Sequence, residues 1–144
     1  MNEAQRQQLE SVIVQSRTFR ANPEWHFVFI ENPEILNPLL ELIPGLEGVT
    51  AEDAVLAFAA SGSMGARADA SAALYRVYCT AENPIGRFCD PLTMYFNIPQ
   101  GQRIAAAFGV PEGYVCTGAL LFSGTPEPEN HSEEIKWDVF SCIR

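Results

Sequence analysis

Lysine is almost missing from this sequence, and charged residues as a whole are few. Charged residues make up 19% of the 144, against about a quarter in an average soluble domain. Nine basic residues face 18 acidic ones, for a net charge of −9, and Lys136 is the one lysine. Nucleic acids and anionic membrane surfaces both require clustered cations. No apolar run approaches the ~20 residues of a membrane span. The sequence therefore predicts neither a nucleic-acid nor a membrane partner.

Cysteine and histidine are also few, and they lie far apart. The four cysteines, Cys79, Cys89, Cys116 and Cys142, form no CxxC pair and have no neighbouring histidine. This spacing predicts no metal site and no redox dithiol. The polar start MNEAQRQQ lacks the apolar core of a secretion signal. We therefore expect a cytoplasmic protein with buried free thiols, in which Cys79 and Cys116 are inert core residues.

The length predicts one domain covering residues 1–144. The low charged fraction leaves fewer residues to coat its surface. We therefore expect some apolar surface to be covered by a partner, most simply a second copy of the chain.

Helical and strand patterns alternate along the chain, which predicts an α/β or α+β fold with helices on the faces of a sheet. Trp25–Ile30 is apolar on both faces apart from His26, and we expect it inside the sheet. The segment from Pro84 to Pro99 stays unassigned. Predicted helices run from Asn2 to about Arg20, from Asn32 to Pro44, from about Arg67 to Ala81 and from Gln100 to Phe108. Predicted strands cover Trp25–Ile30, Ala54–Ala59, Tyr114–Phe122 and the alternating segment Ile135–Ile143.

Two segments are candidates for binding an anion. Ser61–Gly65 is predicted as a loop between a strand and a helix, where backbone N–H groups and Arg67 suit a phosphate, or it is simply a flexible connection. Arg17 and Arg20 follow the first helix, where they either bind a phosphate or satisfy the last helical carbonyls. No residue set specifies acid–base or nucleophilic catalysis, so no catalytic side chain is predicted. A cofactor would have to supply the chemistry of an enzyme with this sequence.

Several segments, in order, resemble the nitroreductase family of flavin-dependent oxidoreductases. LESVIVQSRTFRANPEWHFVFIENPEIL is similar to the family's passage from first helix to first strand. EDAVLAFAA, followed by DASAALYRVYCTAENPIGRF, resembles its second strand and long small-residue helix. RIAAAFGVPEGYVCTGALLFSGTP is the closest match, and EEIKWDVF resembles the C-terminal segment that crosses to the partner subunit. The resemblance spans about Leu9 to Phe140.

The resemblance implies a three-layer α/β sandwich with a central, mostly antiparallel sheet flanked by helices. It implies an obligate homodimer that holds FMN at its interface, with the C-terminal strand pairing with the partner subunit. It also implies two-electron reduction of a small-molecule acceptor, a nitroaromatic or quinone, with NAD(P)H as the donor. The alternatives left open are a homodimer of this fold that binds a small molecule or a protein without catalysis, and an unrelated α/β domain using Ser61–Gly65 for a phosphate.

The resemblance also assigns a cofactor site. Ile85, Gly86 and Arg87 are expected near the isoalloxazine ring, and Asn22 near its polar edge. Family members carry an arginine-rich segment before the first helix that grips the FMN phosphate, and this sequence starts at that helix. The resemblance therefore leaves Arg17 and Arg20, or Arg144, to replace that segment.

Overall fold

Helices and strands alternate in the structure much as the periodicities predict. The structure is a computed structural model that describes residues 2–16, 24–44, 49–80 and 85–123. In chain order the elements are α1 (Glu3–Gln15), β1 (Trp25–Ile30), α2 (Pro33–Leu40), a 3₁₀ turn (Ala51–Asp53), β2 (Ala54–Ser61), α3 (Met64–Thr80), β3 (Ile85–Phe88), α4 (Asp90–Tyr95), α5 (Pro99–Ala107) and β4 (Val115–Ser123). The predicted strand at Ile135–Ile143 lies outside the described residues.

The four described strands form one sheet in the order β1-β2-β4-β3, and each neighbouring pair is antiparallel. Within this sheet β1 lies at an edge, so the expectation that it lies inside is wrong for the described part of the chain. The prediction rested on a strand that is apolar on both faces. In a three-layer fold helices cover both faces of edge and central strands alike, so two-sided apolarity does not determine the position of a strand.

Two hydrophobic clusters cover the two faces of the sheet, which confirms the three-layer sandwich. α1 and α3 pack on one face, and α2, α4 and α5 pack on the other. The first cluster includes Leu9, Ile13, Ala70, Leu74 and Val77 from the helices and Val55, Ala57, Leu120 and Phe122 from the sheet. The second includes Leu36, Leu39, Leu92 and Ala105 from the helices and Val28, Leu56, Phe58 and Leu121 from the sheet.

The start of α1 forms as its sequence predicts, but its end does not. The Asn2 side chain accepts a hydrogen bond from the Gln5 N–H at 2.8 Å, and the Gln5 side chain accepts one from the Asn2 N–H at 2.9 Å. This capping box satisfies two N–H groups that have no partner within the helix. The helix ends at Gln15, five residues before the predicted boundary at Arg20. Ser16 closes it by donating its hydroxyl to the Val12 carbonyl at 2.6 Å.

The unassigned segment contains two elements, β3 and α4, that fix the position of α5. The Asn97 side chain follows α4 and pairs with the backbone of Cys116 in both directions, each bond being 2.8 Å long. The Asn97 amide thus pairs with the first part of β4 as the backbone of a neighbouring strand would. A Cβ atom on Gly101 would lie 1.9 Å from the Tyr95 carbonyl oxygen. Only glycine permits this crossing of α4 and α5.

Candidate functional site

The predicted flavin-contacting residues Ile85, Gly86 and Arg87 form most of β3. This strand pairs with β4 alone among the described strands, so its other edge faces away from the described sheet. The Cys89 N–H donates to the Ala119 carbonyl at 2.9 Å, which fixes the alternation of this antiparallel ladder. By that alternation the N–H of Gly86 points away from β4. The edge thus presents a main-chain donor of the kind that recognises a ring nitrogen or carbonyl.

The side chains of β3 alternate between the two helical layers. A Cβ on Gly86 would point toward the α3 face and come within 2.9 Å of Phe122, which explains why the strand carries a glycine there. Arg87 points to the opposite face and is half-buried. The structure therefore places Ile85–Arg87 along one edge of the described sheet, where Gly86 itself is buried.

An aromatic cluster beside β3 was not predicted from the sequence. The Phe88 ring lies 5.2 Å from that of Tyr78 and 6.3 Å from that of Tyr75, measured between ring centroids. All three side chains are exposed, by 44%, 37% and 57% respectively. By helical periodicity Tyr78 belongs to the small-residue face of the third predicted helix. That face is formed by Ala70, Ala73, Leu74 and Val77, with Tyr78 at its border. The spacing of three residues between Tyr75 and Tyr78, which places both on one side of a helix, was the sequence signal for this cluster.

The other predicted site residues, Arg17, Arg20 and Asn22, lie outside the described residues. The described chain resumes just after them and enters the sheet at Trp25. Trp25 pairs with Ser61, which pairs with Val115 at the start of β4. In contrast, Ile85 pairs with Ser123 at the end of β4. The nine residues of β4 separate these two ends of the sheet by about 27 Å.

The predicted loop at Ser61–Gly65 is largely regular structure. Ser61 is the last residue of β2, and Met64 and Gly65 already belong to α3, which begins three residues earlier than expected. The Ser63 hydroxyl accepts a hydrogen bond from the Ala66 N–H at 3.2 Å and so caps the helix. The Ser61 hydroxyl is buried and makes no hydrogen bond among the described residues. The helix start thus uses its own serine, which favours a structural role over an anion site.

The described cysteines are free thiols, as predicted, but they differ in environment. Cys89 and Cys116 are buried, whereas Cys79 is exposed on α3, so the prediction of a core thiol is wrong for Cys79. Burial raises the pKa of Cys116 from 9.0 to about 11. A hydrogen bond with Cys79 raises the pKa of the Tyr75 hydroxyl. No group of histidine, cysteine and carboxylate side chains within the described ranges is arranged to hold a metal ion.

Comparisons with known proteins identify the fold. No protein-family model and no curated protein sequence matches the chain significantly. Its structure is similar to that of a Bacteroides fragilis nitroreductase with bound FMN, with a TM-score of 0.72 and 13% identity over 100% of this chain and 89% of that one. A Desulfitobacterium hafniense nitroreductase with bound FMN superposes with a TM-score of 0.71 and 13% identity, over 100% and 88% of the two chains. An FMN-dependent nitroreductase from Clostridium difficile gives a TM-score of 0.64 and 14% identity, over 94% and 82%.

The chain therefore has the nitroreductase fold, which confirms the fold expected from the sequence resemblance. None of the described helices is long and apolar enough to span a membrane.

Proposed function

We propose that the chain is an FMN-dependent oxidoreductase of the nitroreductase type, with a nitroaromatic or quinone as acceptor and NAD(P)H as donor. The observation that carries the proposal is the fold, because structures with bound FMN superpose on 100% of this chain. Bound FMN supplies two-electron chemistry, and the protein supplies binding, orientation and access.

The edge of β3 that faces away from β4 suits this cofactor. The outward N–H of Gly86 is a rigid main-chain donor for a polar atom of the isoalloxazine ring, since β4 holds the rest of the strand. Small size at this position lets a ring approach the backbone closely. Ile85 and Arg87 flank this glycine along the strand and are the other residues that the family resemblance assigns to the ring. Arg17 and Arg20 are the proposed partners of the FMN phosphate, because one guanidinium group can donate two parallel hydrogen bonds to phosphate oxygens.

The geometry of the sheet supports a homodimer. Residues 17–22 are joined to the end of the sheet at Trp25, whereas Ile85–Arg87 lie at the end marked by Ser123. These ends are about 27 Å apart along the strands, and β1 and β3 are also opposite edges of the sheet. The sheet end that follows residues 17–22 in the sequence is therefore not the end that carries β3. We infer that the partner subunit supplies Arg17, Arg20 and Asn22 beside this chain's β3, as the family resemblance implies.

A matched pair of variants at Gly86 tests the cofactor site. Gly86→Ala and Gly86→Pro add a similar Cβ beside Phe122, but only proline removes the outward N–H. Proline is tolerated on a strand edge whose N–H faces away from the neighbouring strand. We expect FMN, followed by flavin fluorescence quenching, to bind Gly86→Pro about 5- to 10-fold more weakly than Gly86→Ala.

Purified wild-type protein gives the first result in this experiment. A flavin absorption spectrum, or saturable quenching on adding FMN, supports the proposal. Protein that gains neither a spectrum nor thermal stability from FMN contradicts it and points to a fold member without catalysis. Equal FMN affinity in the two Gly86 variants removes the β3 edge from the site.

A further inference from the structure

A cavity of about 490 Å³ lies on the face of the sheet opposite α3, between α5, the turn after it and the first residues of β4. Its base is formed by Phe58, Ala60 and Phe96, which are almost completely buried. The Phe58 and Phe96 rings stack with centroids 4.2 Å apart. Its rim carries the polar side chains of Gln102 and Glu112. This combination of an apolar base and a few polar rim groups is typical of small-molecule sites.

The cavity is held open by features already present in the fold. The Asn97 side chain fixes the backbone of Cys116 on one wall, and the close contact at Gly101 fixes α5 on the other. Ala105 and Ala106 line the α5 wall with small side chains. A ligand therefore meets a preformed space, which lowers the entropic cost of binding.

The chemistry of the lining restricts the ligand. None of the described residues that line the cavity is basic, and Glu112 is exposed at its mouth. The Cys116 thiol that lines the inner wall remains protonated at neutral pH, because burial raises its pKa to about 11. An anion placed here would lose its water without gaining a cationic partner. The net charge of −9 opposes an anion further.

The cavity is separate from the edge of β3. It borders Val115 and Cys116 at the start of β4, whereas Gly86 pairs with Phe122 near the end of that strand. The edge of β3 therefore does not form part of this cavity, and the inference does not depend on flavin binding.

We propose that this cavity binds a planar aromatic molecule of one or two rings that carries no negative charge. The rings would lie in the apolar interior near Phe96, with a polar substituent at Gln102 and Glu112. The size follows from the volume, since a cavity of about 150 Å³ holds benzene and this one is roughly three times larger.

Three probes that differ only in charge test the proposal: 2-naphthalenemethanol, 2-naphthylmethylammonium and 2-naphthoate. They are titrated into the full chain, with and without FMN, and followed by amide chemical shifts. We expect saturable 1:1 binding of the alcohol and the ammonium ion, with shifts centred on the turn at Gly109 and Gly113. The carboxylate should bind at least about 10-fold more weakly. Glu112→Gln should weaken the ammonium probe and leave the alcohol unchanged.

Two alanines on α5 provide a matched pair of blocking variants. Both are exposed, but Ala106 lines the cavity and Ala107 does not. Ala106→Phe should reduce the affinity for the alcohol at least 10-fold, whereas Ala107→Phe should leave it unchanged. Absence of saturable binding, equal affinities in the two variants, shifts centred on Gly86, or preference for the carboxylate would each overturn the proposal.

Discussion

Gly101 shows how a single side-chain atom constrains the fold. A Cβ at this position would meet the Tyr95 carbonyl oxygen at 1.9 Å, and the contact is with backbone rather than with a movable side chain. Gly101→Ala gains about 1 kcal/mol in helix propensity, but separating α4 from α5 costs about 3 kcal/mol or more. We expect urea denaturation to show a net loss of about 2 kcal/mol. Arg103→Ala, exposed on the same helix, is the control, and an equally stable Gly101→Ala would contradict the packing described here.

Cys116 links stability to pH. Its pKa is raised from 9.0 to about 11 in the folded protein by burial, so the folded state retains a proton that the unfolded state releases. The contribution of the protonated Cys116 thiol to the free energy of unfolding is complete below pH 9 and is lost as the pH rises toward 11. Between these values the free energy of unfolding should fall by about 2 kcal/mol more in the wild type than in Cys116→Ala. Cys79→Ala, at an exposed thiol, should retain the wild-type slope, and identical slopes in all three proteins would refute the linkage.

At the scale of elements, Asn97 joins α4 to β4. Its side chain donates to the Thr93 and Cys116 carbonyls, at 3.1 and 2.8 Å, and accepts from the Cys116 N–H at 2.8 Å. Asn97→Ala leaves the two Cys116 backbone groups unpaired, so we expect a loss of about 2 kcal/mol. Hydrogen exchange should accelerate at residues 115–117. Asn37→Ala, on the exposed side of α2, should change neither quantity, and unaltered exchange in Asn97→Ala would exclude this role.

The elements also show how far the sequence predicts the structure. β1 was predicted with its observed boundaries, and the capping box of α1 was identified, because both signals are local. β3 was missed because four residues, IGRF, carry no period, and the strand exists only through its pairing with β4. α3 begins at Met64 because Ser63, rather than a later residue, caps it. Within the candidate site, Ile85–Arg87 came from family resemblance alone, and the sequence had no signal for the direction of the Gly86 N–H.

At the scale of the whole molecule, the proposed flavin site is shared by two subunits, with Arg17 and Arg20 from one and β3 from the other. The chain should therefore be a dimer at micromolar concentration, measured by sedimentation. A sharper test mixes two impaired proteins, Arg17→Ala/Arg20→Ala and Gly86→Pro, at an FMN concentration that fills the wild-type site but neither variant's site. If each site combines the arginines of one subunit with β3 of the other, a mixed dimer has two different sites. One site contains both unaltered parts, and the other contains both altered parts.

Random exchange of subunits makes half of the dimers mixed, so about one quarter of the sites regain both unaltered surfaces. FMN-dependent reduction of a quinone should rise to that fraction of the wild-type rate after mixing. As a control for nonspecific effects, Gly86→Pro is mixed with Arg103→Ala, a change at an exposed arginine on α5. Every site that contains the unaltered β3 of an Arg103→Ala chain should be active in this mixture, whether or not sites are shared. If each site lay within one subunit, every site in the first mixture would keep a defect. Activity would then stay at the level of the unmixed variants, and the shared site would be refuted.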